Sequence, residues 1–226
     1  MTYQMRRPVF FCLALLMIAA SSCFTPKKVD KYIADKYVST PPPNKRKIEG
    51  ITVNSVPSPL GDTLSISYGD RRKFLPLIFY YNEEKTIHSS LNPQVSVNNF
   101  INTISTYSNK ALKPKLNGKR IELTIEKVPS HFATTIRSQT IWLIYSYTWV
   151  HAGILPEDNE LRVSYKLYEN NSLVKSSVVS TNLITQGVNF GMYNSVRKKL
   201  GEYLDKYDEN ITAMSKSIID KIAAEL

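Results

Sequence analysis

Cysteine is almost missing from this chain. Its two copies, Cys12 and Cys23, both fall near the N-terminus. From Phe24 onward there is no thiol, so no disulfide, cysteine metal site or thiol redox centre is expected there. Histidine is as scarce: His88, His131 and His151 stand apart in the sequence, without the spacing of metal ligands. Glycine occurs only 8 times in 226 residues, and no glycine-rich phosphate loop is among them. No Gly-x-Ser-x-Gly turn surrounds a serine, which excludes the nucleophile-elbow hydrolases. Asp158 and Glu160, beside Glu157, read as a solvated turn rather than a working acid–base pair, and His151 as a surface turn. No metal, cofactor or catalytic set is implied. No apolar run reaches the roughly 20 residues that span a bilayer as a helix.

What is present begins at the N-terminus. Arg6 and Arg7 supply a positive end, Val9 to Ala20 is an apolar core, and Ser21-Ser22-Cys23 is a small-residue exit. These are the three parts of an export signal over residues 1–22. The stretch Ala20-Ser21-Ser22-Cys23 resembles the lipobox of bacterial lipoproteins, with Ala20 where that pattern most often carries Leu. The resemblance implies that Cys23 is alkylated with diacylglycerol and becomes the acylated first residue of the mature chain. Two or three acyl chains hold firmly, because each buried methylene contributes about 0.8 kcal/mol. In the enteric sorting rule an Asp after the cysteine retains the protein in the inner membrane, so Phe24 favours the outer membrane. The flank Phe24-Thr25-Pro26-Lys27-Lys28 lacks the acidic cluster that some bacteria use for surface export. The expected location is the periplasmic face of the outer membrane.

The chain is basic. Residues 1–22 hold two of its 29 Lys and Arg and none of its 19 Asp and Glu, so the remainder keeps a net charge of +8. In a cell envelope the matching phosphates belong to phospholipid or lipopolysaccharide, and nucleic acid is not an expected partner. Lys110, Lys113, Lys115, Lys119 and Arg120 form the densest cationic run and are the candidate contact for anionic lipid.

The rest divides into a lipid anchor and flexible tether over 23–47 and a single domain over 48–226. Within the tether, Lys27 to Val38 predicts a short helix with Val29, Ile33 and Tyr37 on one stripe, and Pro41-Pro42-Pro43 predicts a stiff spacer. Strands are expected at Ile51–Val53, Leu64–Tyr68 and Phe74–Tyr81, the last interrupted by Pro76. Glu83-Glu84-Lys85 reads as a polar turn before a short extended Thr86-Ile87. Val97, Phe100, Ile101, Ile104 and Tyr107 recur at helical steps. Alternation predicts strands at Arg120–Glu126, Thr140–Val150, Leu161–Tyr168 and Leu173–Ser180, the last three as an antiparallel meander. Ile211, Met214, Ile218, Ile222 and Leu226 mark a final helix, with a break expected near Gly201 or Asp208–Asn210. The fold class is therefore α+β: a mostly antiparallel sheet with two amphipathic helices on one face, preceded by the lipidated tether.

This element order, over residues 74–226, resembles two kinds of outer-membrane lipoprotein: auxiliary lipoproteins of ABC-type lipid transport, and the lipoprotein that helps assemble the lipopolysaccharide translocon. The closing run Asp205–Ala223 is similar to the last helix of the first kind. The resemblance implies a non-enzymatic accessory or assembly factor in envelope lipid or lipopolysaccharide transport, working within an envelope protein complex and held to the membrane by its N-terminal lipid. It carries no functional residue across. From the residues alone, the most distinctive segment is Ile141–His151. Alternation there places Tyr145, Tyr147 and Trp149 on one face, as a ligand or partner surface or as the aromatic side of a buried central strand. A glycan- or peptidoglycan-binding module using that face is the alternative function, and an enzyme with an unrecognised catalytic set is another.

Overall fold

The structure, a computed structural model, describes residues 25–37, 48–55, 67–75, 80–142, 145–182, 187–191 and 195–226. The export signal, Cys23, the triple-proline spacer and the first half of the strand expected at Leu64–Tyr68 lie outside these residues.

The described chain is α+β and mostly antiparallel, as expected. It holds two sheets, however, where one was expected. Strands β1 (Ile51–Ser55), β4 (Arg120–Lys127), β7 (Glu160–Glu169) and β8 (Ser172–Asn182) form a four-stranded sheet in the order β1-β4-β7-β8. Strands β2 (Ser67–Leu75), β3 (Tyr80–Ser90), β5 (His131–Trp142), β6 (Ser146–Pro156) and β9 (Val188–Gly191) form a five-stranded sheet in the order β2-β3-β5-β6-β9. Among the described residues only the β1–β4 pair is parallel. The expected meander is thus divided: β6 and β7 belong to different sheets, and Glu157–Asn159 carries the chain from one to the other.

Helices α1 (Pro26–Tyr37), α2 (Pro93–Ala111), the single turn α3 (Lys113–Leu116) and the 30-residue α4 (Val196–Glu225) complete the described elements. Asn92 caps α2 by accepting from the Gln94 N–H at 2.9 Å, with Pro93 in the first turn, so α2 starts ahead of the expected Val97. The β7–β8 hairpin turns on Asn170 and Asn171, both left-handed (φ 46° and 65°), a conformation Asn tolerates and this tight turn requires. Helix α4 runs unbroken through Gly201 and Asp208–Asn210. Gly201 answers a different need: a Cβ there would lie 2.7 Å from the Tyr32 hydroxyl of α1.

Alternation placed the core of the four-stranded sheet correctly. Ile121, Leu123 and Ile125 of β4 and Leu161, Val163, Tyr165 and Leu167 of β7 are buried, in one cluster with Ile211, Met214, Ile218 and Ile222 of α4. The two long helices lie side by side and parallel. Asn99 bonds the Asp208 carbonyl and the Thr212 hydroxyl, and Tyr107 donates to Asp220. The Tyr207 hydroxyl is buried between Ser96 and the Pro129 carbonyl, to which it donates.

Part of the segment read as a tether is a docked helix. Val29 and Ile33 of α1 belong to the core, Lys36 pairs with Asp205, and Tyr37 donates to Asp208 at 3.3 Å. The Arg197 guanidinium lies 5.3 Å from the centre of the Tyr32 ring. Rising numbers on α1 meet rising numbers on α4, so the two run parallel. Tyr203 packs on Phe132 with ring centres 5.1 Å apart, and Tyr207 reaches back to Pro129. Helix α4 therefore runs opposite to β5. Among the described residues no helix is long and apolar enough to cross a membrane.

Candidate functional site

The strands β3, β5 and β6 are 11 or 12 residues long, about 35 Å at 3.3 Å per residue. Only one end of them is covered. At that base Ile87, Phe132, Thr134 and Ile154 are buried with Tyr203 and Leu204 of α4. At the other end Phe74, Trp142, Tyr145 and Tyr147 are 55%, 54%, 73% and 60% exposed.

The register explains how this exposed end is assembled. The strand expected at Thr140–Val150 is two strands: Trp142 of β5 pairs with Ser146 of β6, and the chain reverses between them. Leu143 and Ile144 lie outside the described residues. The Phe74–Tyr81 strand is likewise divided between β2 and β3, which pair Leu75 with Tyr80. Tyr80 in turn pairs with Ile141, and Ile141 with Tyr147. The two reversals therefore stand side by side at one end of the sheet. Glu83-Glu84-Lys85, expected as a turn, lies inside β3 instead.

Alternation did put Tyr147 and Trp149 on one face, opposite Ile141 and Gln139. Trp149 is half-buried and held: its indole N–H donates to Gln139 Oε1 at 2.5 Å, and Gln139 Nε2 donates to the Tyr80 hydroxyl at 3.0 Å. That chain of bonds ties β6, β5 and β3 one row below the tip. On the opposite face the Thr140 and Thr148 hydroxyls lie 3.0 Å apart. Tyr147 is exposed on the first face and Tyr145 beside it at the reversal. Trp142 and Phe74, which the sequence reading did not single out, are exposed on the face of Thr140, so this end presents rings on both faces. A buried central strand is excluded at these positions by their exposure.

No charge interrupts this end. Residues 74–82 and 138–150 contain no Asp, Glu, Lys, Arg or His, in a chain that is 21% charged, and they hold both of its tryptophans. The four residues joining β2 to β3 are Pro76-Leu77-Ile78-Phe79 in sequence, so the apolar character is continuous along the chain. An uncharged aromatic surface of this kind can bind by dispersion, ring stacking and Tyr or Trp hydrogen bonds. It offers no proton donor or acceptor poised near neutrality. A second, smaller exposed apolar group comprises Leu173, Val174 and Val178 of the edge strand β8.

The five cations sit elsewhere. Lys110 ends α2, Lys113 and Lys115 lie in α3, and Lys119 and Arg120 lead into β4. Three are engaged: Lys113 with Glu49 at 3.2 Å, Lys119 with Glu169 at 3.6 Å, and Arg120 with Glu122 at 3.5 Å and over the Tyr168 ring at 4.8 Å. Lys110 and Lys115 are exposed and form no ion pair among the described residues. The group lies by the β7–β8 turn, where α4 ends, with Glu225 at 3.4 Å from Lys175. It is thus at the pole opposite the aromatic end.

The histidines and loop acids meet in a way the sequence did not reveal. His88 bonds Glu157 at 2.5 Å, and His131 stands 3.9 Å from Asp158. Lys127 bridges Asp158 at 3.1 Å and Glu160 at 3.5 Å, and Arg162 takes Glu160 at 2.7 Å. The Arg162 bond holds the Glu160 carboxyl below the usual range, and the Asp158 bond raises the Lys127 ammonium. Asp158 and Glu160 are thus paired with Lys127 and Arg162, which clamps the sheet-to-sheet connection. His151 lies within β6, opposite Arg137 and Gly191, not in a turn. Among the described residues no three His, Cys, Asp or Glu side chains group to hold a metal.

No family model matches the chain, and no curated protein or solved structure matches it either.

Proposed function

We propose that the chain is a non-enzymatic lipoprotein of the outer membrane, anchored through Cys23 on the periplasmic face. It acts as an accessory or assembly factor in envelope lipid or lipopolysaccharide transport. One observation carries the reading: a folded base supports an exposed, charge-free aromatic end, a surface made for contact and lacking any group suited to proton transfer or nucleophilic attack. The lipobox-like stretch and the basic charge supply the setting.

The glycan-binding alternative draws on the same aromatic end, since sugars stack on Tyr and Trp rings. It is less favoured because this end holds no acidic side chain, and its two amides, Gln139 and Asn82, are already bonded to Trp149, Tyr80 and Arg137. Cells lacking the chain test the proposal. Their outer membrane should admit large apolar antibiotics and show altered lipopolysaccharide or phospholipid content. The wild-type gene should restore the barrier and a Cys23→Ser gene should not. An intact barrier in the deletion strain, or full restoration by the unlipidated chain, contradicts the proposal.

A further inference from the structure

We infer that the aromatic end of the five-stranded sheet enters the same bilayer that holds the N-terminal lipid, giving the protein a second membrane contact. The inference rests on the lipoprotein reading above, and three features of the fold lead to it.

The first is depth. Inward from Trp142 the first charge is Lys73, level with Gln139 through Asn82, so the charge-free end is three residues or about 10 Å deep, the burial that interface-seated elements reach. The second is the layering along the strands. Among the described residues Trp142, Tyr145 and Tyr147 lie nearest this end, and Trp and Tyr are the residues that collect at the membrane–water boundary. The first charges inward are Lys73 and Arg137, both exposed, with Glu83 and Glu84 at about the same level. Arg137 already donates to Asn82 at 3.1 Å. This is the level of lipid phosphates when the tip is seated.

The third feature is where the anchor emerges. Helix α4 passes Phe132 with Tyr203 and Pro129 with Tyr207, so it starts on the side of the aromatic end and runs away from it. Helix α1 runs parallel, with Tyr32 beside Arg197 and Gly201 and Lys36 beside Asp205. Thr25 is therefore on the aromatic side of the fold. Cys23 is two residues earlier, within about 7 Å of it along the chain. The cations at Lys110–Arg120 lie at the far pole and face away from that membrane. A lipid at one end and the aromatic tip on the same side hold the domain in one orientation, with its cationic pole toward the periplasm.

Because both tryptophans lie in this end, selectively excited tryptophan fluorescence reports on it alone. The lipidated full-length protein is reconstituted into phosphatidylethanolamine–phosphatidylglycerol vesicles, with and without brominated phosphatidylcholine. In a Trp149→Phe chain, Trp142 emission should shift to the blue, be quenched by the brominated lipid and lose its quenching by aqueous iodide. Adding Tyr145→Ser and Tyr147→Ser should abolish the lipid quenching while the protein still floats with the vesicles. If Trp142 stays open to iodide and untouched by brominated lipid in protein that floats, the anchor reading stands and the insertion is overturned. If the chain takes no fatty-acid label, the anchor reading fails by itself. In that case lipid quenching on added vesicles still supports insertion, and its absence overturns it.

Discussion

The same three strands live two different lives along their length. At the base of β5, Phe132 is fully buried against Tyr203 of α4; ten residues on, Trp142 is more than half exposed. Backbone pairing is continuous between the two places, so hydrogen bonding does not distinguish them. What differs is the cover. The base is closed by helices, whereas the far end keeps its aromatic rings in the open without a single charge to solvate them. The base is core, and the far end is the surface for which contact is proposed.

The largest expected effect breaks the comparison most plainly. Phe132→Ala should cost about 3–5 kcal/mol and lower the melting temperature strongly, because it opens a cavity under α4. Trp142→Ser, at the other end of the same strand, should stay within about 0.5 kcal/mol. Equal losses would mean that the aromatic end is core. Ile33→Ala in α1 comes next, near the lower end of about 2–5 kcal/mol, since Ile33 is buried against the body of the domain. Thermal unfolding that ignores this change would return α1 to the role of a tether.

Smaller still is Tyr207→Phe. It removes the hydroxyl that donates to the Pro129 carbonyl and accepts from Ser96, leaving a buried acceptor and a buried donor unpaired at about 1–3 kcal/mol by denaturant titration. Burial pushes the Tyr207 phenol well above its ordinary range, so the hydroxyl stays a donor at all physiological pH values. The least effect belongs to Asp208. Burial, and secondarily the nearby Asp205 charge, raises its carboxyl above the usual range, against the opposing influence of Tyr37 and Lys36. The native state therefore binds this proton more tightly than the unfolded chain does. Its contribution to stability is greatest in acid and declines as pH rises from the ordinary carboxylate range through the raised native value. Asp208→Asn, which still accepts from Tyr37, should flatten that decline in pH-dependent melting. An unchanged slope would assign it to other groups.

Much of the base was legible in the sequence because its strands obey a period of two under a single cover. Leu161, Val163, Tyr165 and Leu167 announced β7, and Ile218 and Ile222 announced the inner face of α4. The aromatic end was misread for a physical reason. A hairpin is recognised by Gly, Asn, Asp or Pro at its turn, and none interrupts Ile141–Tyr147. One long strand was the natural reading, and it hid Trp142 as a tip residue. Glu83-Glu84-Lys85 misled in the opposite sense: a polar triplet read as a turn lies within a strand flanked by β2 and β5, and Glu83 and Lys85 pair with each other at 3.0 Å. Gly201 was read as a break because its packing partner, Tyr32 of α1, lies far earlier in the chain and is invisible to local pattern. The division into two sheets followed the connection at Glu157–Asn159, whose contacts with His88, Lys127 and His131 come from other segments.

The central claim is that the aromatic end works and does not fold. The most direct test is barrier restoration in deletion cells by a chain carrying Trp142→Ser, Tyr145→Ser and Tyr147→Ser together, with its melting temperature and lipidation measured in parallel. The account predicts a protein that is lipidated and melts like the wild type yet fails to restore the outer-membrane barrier. Full restoration by this chain, or a melting temperature lowered as far as that of Phe132→Ala, would contradict it.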